Sequence, residues 1–74
     1  MTLQELNKVI GNLENQGEIE LLGIYYMQRA NLIKSLSSRM KSSIKNIVKE
    51  HGLNSLSVEQ FQLAQYLEST GQLR

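Results

Sequence analysis

A chain of 74 residues with a net charge of +1 and no cysteine, proline or tryptophan has the length of one small domain. Without cysteine it has neither disulfide staples nor thiolate metal sites, and a fold this small is marginal unless something else covers its apolar surface. No apolar run approaches the roughly 18 residues of a membrane span, and the start MTLQELNKVIGNLENQGEIE lacks the basic head and apolar core of a signal peptide; a soluble, cytoplasmic protein is expected.

With no proline, only glycines and polar clusters can end a helix, and a composition led by Leu, Ile, Lys, Gln and Glu favours an all-helical chain. The first segment is TLQELNKVIGNLENQG. Thr2 followed by Glu5 fits a capping box, in which each side chain satisfies a backbone donor at the helix start. Leu3, Leu6, Val9 or Ile10, and Leu13 recur at three- and four-residue steps and form one apolar stripe. Asn15, Gln16 and Gly17 form the stop, because glycine suits the left-handed position after a helix. Gly11 in the interior costs about 1 kcal/mol of helix propensity.

The second segment runs from about Glu18 to His51 without a strong breaker. Glu18 and Glu20 lie at the positive end of the helix dipole, Lys45 and Lys49 near the negative end. Gly52 fits the exit, with Leu53 placed to fold back on the last turn. A helix of that length would span about 50 Å at 1.5 Å per residue, more than its two neighbours can cover, unless Gly23 or the Ser-rich stretch 35–43 bends it. At 100° per residue, Leu22, Tyr26, Ala30, Ile33, Leu36, Met40, Ile44, Ile47 and Val48 share one arc, and Lys34, Lys41, Lys45 and Lys49 lie opposite. Leu21, Ile24, Tyr25, Met27 and Leu32 fall outside that arc, so the first half of the helix is apolar nearly all round. Such a helix expects cover on every side. Arg29 points into the apolar arc and calls for a carboxylate, because an unpaired buried charge is costly.

The third segment, NSLSVEQFQLAQYLESTGQ, starts with a second capping box, Ser57 with Gln60, and a hydrophobic staple between Leu56 and Phe61. Phe61, Leu63, Ala64 and Leu67 share an arc, and Gly71 is the stop. Charge is unevenly laid out. Residues 1–20 hold Glu5, Glu14, Glu18 and Glu20 against Lys8; residues 21–50 hold Arg29, Lys34, Arg39, Lys41, Lys45 and Lys49 against Glu50; the tail holds Arg74 against Glu59 and Glu68. A basic middle between acidic ends suits an anionic partner, or ends that fold back on the middle.

Catalytic chemistry is poorly provided for. The only histidine is His51, aspartate is absent and the glutamates are scattered, whereas acid–base work needs paired groups in a cleft. His51 reads as a residue at a helix C-terminus, favoured there by the dipole. A helix-turn-helix at residues 44–67 would have too long a turn, and its would-be recognition helix carries Glu59 and Glu68 but no Lys or Arg, which phosphates disfavour.

The sequence therefore predicts an all-α fold and one helical domain, residues 1–74. Its long central helix carries an N-terminal antiparallel helix and a short C-terminal helix, at about 2–15, 18–51 and 57–70, and the hairpin or bundle is completed by oligomerisation. The expected function is a small non-enzymatic protein–protein interaction module: a regulator, inhibitor, chaperone or assembly factor. Its interface is Leu22, Tyr25, Tyr26, Met27, Arg29 and Ile33, since Tyr, Met and Arg are enriched at interface centres. The partner is a second copy in a homodimer or another helical chain. The alternative is a nucleic-acid-associated factor that contacts phosphates through Lys34, Lys41, Lys45 and Lys49. Catalytic residues, cofactors, metals, membrane attachment and small-molecule substrates are not expected.

Overall fold

The structure, a computed structural model, describes residues 1–73. Its elements are α1 (Leu3–Gln16), α2 (Ile19–His51), a short 3-10 helix (Leu53–Ser55) and α3 (Val58–Ser69). Among the described residues there is no strand. The chain divides into two compact units, one from Met1 to Leu32 and one from Ile33 onward.

In the first unit, α1 begins on a complete capping box. The Glu5 backbone N–H donates to Thr2 Oγ1 at 3.1 Å, and the Thr2 N–H donates to Glu5 Oε1 at 3.3 Å. Two donors that the helix itself leaves without partners are thereby satisfied. The other end closes as a Schellman motif. Gly17 lies in the left-handed region at φ 70°, its N–H donates to Glu14 O at 3.2 Å, and the Glu18 N–H donates to Leu13 O at 3.1 Å. Only a residue without a side-chain penalty at that φ turns the chain so tightly, and α2 starts two residues later. Leu3, Leu6 and Ile10 of α1 are buried, and Leu22, Tyr25, Arg29 and Leu32 of α2 are half-buried at matching helical spacing. Full burial of such an aliphatic side chain stabilises by about 1.5–3 kcal/mol.

In the second unit the core is Ile44 from α2 with Leu63, Ala64 and Leu67 from α3. Ser37 lies among the buried residues with no exposed surface, and its hydroxyl donates to the Leu63 carbonyl at 3.4 Å. Small side chains at Ser37 and Ala64 let the two helices approach closely. The exit from α2 differs from the expected fold-back of Leu53. Gly52 does take a positive φ of 82°, but only its own N–H returns to the last turn, to Val48 O at 3.0 Å. Leu53 goes into the 3-10 helix and is 48% exposed. The second capping box is complete: the Gln60 N–H donates to Ser57 Oγ at 3.2 Å and the Ser57 N–H to Gln60 Oε1 at 3.1 Å. At the end of α3, Gly71 (φ 74°) and Gln72 donate to Glu68 O and Leu67 O at 3.1 and 2.8 Å, a second Schellman stop.

Candidate interaction surface

Two contacts fix which side of α2 meets α1 in the first unit. The Tyr26 hydroxyl donates to Glu14 Oε2 at 2.8 Å, and Arg29 Nη1 donates to Asn7 Oδ1 at 3.2 Å. The carboxylate expected for Arg29 is replaced by a neutral amide and an aromatic face, with the guanidinium carbon 5.3 Å from the Tyr26 ring centroid. Arg29 is half-buried rather than enclosed, so its charge keeps part of its hydration, and the ring quadrupole adds a modest attraction. Because the Tyr26 hydroxyl donates a hydrogen bond to the Glu14 carboxylate, the phenol keeps its proton to above the ordinary tyrosine value; burial and the Glu14 charge push the same way, while Arg29 opposes.

With Leu22, Tyr25, Arg29 and Leu32 turned toward α1, the other side of α2 is bare. Ile19 is 81% exposed, Ile24 56% and Met27 68%; Leu21 is exposed too, as is the Tyr26 ring, although its hydroxyl reaches α1. Of the six residues expected at an interface, Tyr26 and Met27 are on the surface, whereas Leu22, Tyr25, Arg29 and Ile33 are half-buried. Ile19 and Ile24 belong to the surface and were not among the six. The signal for Ile24 was in the sequence, since it falls outside the main apolar arc of α2.

In the second unit, Lys34, Lys45 and Lys49 are exposed and Lys41 is half-buried. Their spacing places all four on one face of α2. An open groove of about 580 Å³ lies elsewhere in this unit, lined by Val48, Leu53, Phe61, Ala64, Gln65, Glu68, Ser69 and Leu73. Its walls are mostly hydrocarbon and its one charged side chain is Glu68. His51 is exposed at the end of α2, with Nε2 3.8 Å from the Glu50 carboxylate.

Among the described residues, no helix is long and apolar enough to cross a membrane, and no three His, Asp or Glu gather as metal ligands would. Comparison with protein-family models finds no match, and searches of the curated proteins and of the solved structures find none either.

Proposed function

We propose that the chain is a small non-enzymatic protein–protein interaction module that works by covering a helical partner with the outer face of α2. The observation that carries this reading is the exposure of Ile19, Ile24 and Met27 on one helix within a unit of 32 residues. Large apolar side chains left in water suit an interface, and Met adapts to irregular partner surfaces. A regulator, inhibitor, chaperone or assembly factor all act in this way. The test is co-purification of the tagged chain with its cellular partner, compared with Ile24→Lys and Met27→Lys variants. Both substitutions should abolish capture while leaving helicity unchanged, and capture that survives both overturns the reading.

The alternative, a nucleic-acid-associated factor, draws on the exposure of Lys34, Lys45 and Lys49 along one face of α2. No aromatic residue interleaves them, so the contacts would be to backbone phosphate. Duplex binding at low salt that falls steeply with added salt, and that disappears when Lys34, Lys41, Lys45 and Lys49 are changed to Gln, would favour it.

A further inference from the structure

We infer that the groove in the second unit binds a small cationic amphiphile, a ligand with an elongated apolar body and a terminal ammonium. The inference goes beyond the interaction reading, which concerns α2 within the first unit; every residue it uses belongs to the second. Four segments line the groove. Val48 comes from the last turn of α2, Leu53 from the 3-10 helix, Phe61 and Ala64 from α3, and Leu73 from the tail beyond Gly71. Its volume of about 580 Å³ lies within the range of roughly 300–1,000 Å³ for small-molecule sites, which are apolar with a few placed polar groups. Leu53 and Phe61 remain 48% and 40% exposed, so an apolar body laid in the groove would take hydrocarbon out of water.

The polar lining selects the charge of the ligand. The Ser69 hydroxyl is already committed, donating to the Tyr66 carbonyl at 2.8 Å. The side chains of Gln65 and Glu68 are exposed and have no hydrogen-bond or ion-pair partner among the described residues. They stand three residues apart, neighbours on one face of α3. A carboxylate and an amide oxygen are thus offered side by side. An ammonium has three donors and no acceptor, so it can meet both. A ligand carboxylate in the same place would meet Glu68 as a like charge, and among the described residues no lysine or arginine lines the groove to receive it. Phe61 and Glu68 are seven residues apart, about 10 Å along α3 at 1.5 Å per residue. That separation sets the length of an apolar body whose ammonium is at Glu68 and whose far end is at Phe61.

The experiment uses the full chain. It has one phenylalanine, so the Phe61 ring resonances report the groove. Titration with n-octylammonium chloride should shift them saturably, and octanoate should bind about threefold more weakly or worse, the scale of an exposed ion pair. Glu68→Gln should remove that preference and Glu68→Lys should invert it, while Glu59→Gln, on α3 outside the groove lining, should leave it in place. Circular dichroism should show the same helicity for all three variants. Absence of a saturable Phe61 shift with octylammonium overturns the inference. So does octanoate binding as tightly as octylammonium to wild type, or a preference for the ammonium that survives Glu68→Gln. Phe61 resonances that move with protein concentration alone, and ignore octylammonium, would assign the groove to a second copy of the chain and overturn it too. Ile24→Lys should not affect the titration, so a partner lost on that substitution leaves the interaction reading standing whether or not the groove binds.

Discussion

Ser37 gives the sharpest test of how α2 and α3 pack in the second unit. It has no exposed surface, and its hydroxyl reaches the Leu63 carbonyl at 3.4 Å, at the weak end of hydrogen-bond distances. Changing Ser37→Ala removes that bond, which is worth about 0.5–1 kcal/mol, but it also removes a buried hydroxyl that had to be desolvated. The net change should lie within about 1 kcal/mol of wild type. Changing Ser37→Leu is different. The larger side chain must enter a seat closed by the Leu63 backbone, and overpacking of this sort costs about 1–3 kcal/mol. Leu is the better helix former and the more hydrophobic residue, so propensity and transfer energy both predict the opposite order. Urea titration followed by far-ultraviolet circular dichroism separates the two, provided the slope is unchanged. In thermal melts, each 1 kcal/mol should move Tm by about 4–8 °C for a domain of this size. A Ser37→Leu protein as stable as wild type would refute the close approach of the two helices at this level.

Ile44 and Leu67 have no exposed surface, so Ile44→Ala and Leu67→Ala should each destabilise by about 2–5 kcal/mol in the same titration. Hydrogen bonds from the Thr2 side chain and then the Thr2 backbone hold the Glu5 carboxyl below its ordinary value. A carboxylate favoured in the folded state stabilises above the ordinary carboxylate range and loses its effect as pH falls through the lowered value. Wild type should therefore be more stable than Glu5→Gln at neutral pH, with the gap closing in acid. The raised Tyr26 phenol has the opposite sign: its contribution is present below the ordinary tyrosine value and disappears as pH rises through the raised one. Ultraviolet titration of Glu14→Gln should show one tyrosine ionising at lower pH than in wild type. Met27→Lys, at a position 68% exposed, should change the stability of dilute protein by less than about 0.5 kcal/mol, while removing any rise of Tm with concentration.

The helix count and the stops were legible because they depend on local chemistry. Thr2 with Glu5, Ser57 with Gln60, and the glycines at positions 17 and 71 each act within one turn of backbone. The α1 stripe was legible for a related reason: Leu3, Leu6 and Ile10, which are buried, lie at three- and four-residue steps in one helical phase. Burial along α2 was harder to read. From Ile19 to Met27 the helix is apolar nearly all round, so periodicity does not say which side α1 takes; the Tyr26–Glu14 and Arg29–Asn7 contacts decide that. Ser37 sits in a serine-dense tract that reads as surface, and its burial follows from its standing seven residues before Ile44, a relation visible only once Ile44 is known to be core. The partner of Arg29 was misjudged because charge balance points to a carboxylate, whereas half-burial requires only a hydrogen-bond acceptor and an aromatic face.

The distribution of buried and bare residues gives the proposed interaction its physical sense. Among the described residues, the buried hydrophobic residues number three in the first unit (Leu3, Leu6 and Ile10) and four in the second (Ile44, Leu63, Ala64 and Leu67). Chain segments below about 40 residues seldom sustain themselves on a core that small without added cover. The first unit nevertheless leaves Ile24 and Met27 in water. Cover from a partner would stabilise the folded state by mass action, and it would do so where the intrachain core is thinnest. An unguarded apolar face would accept many registers and many partners.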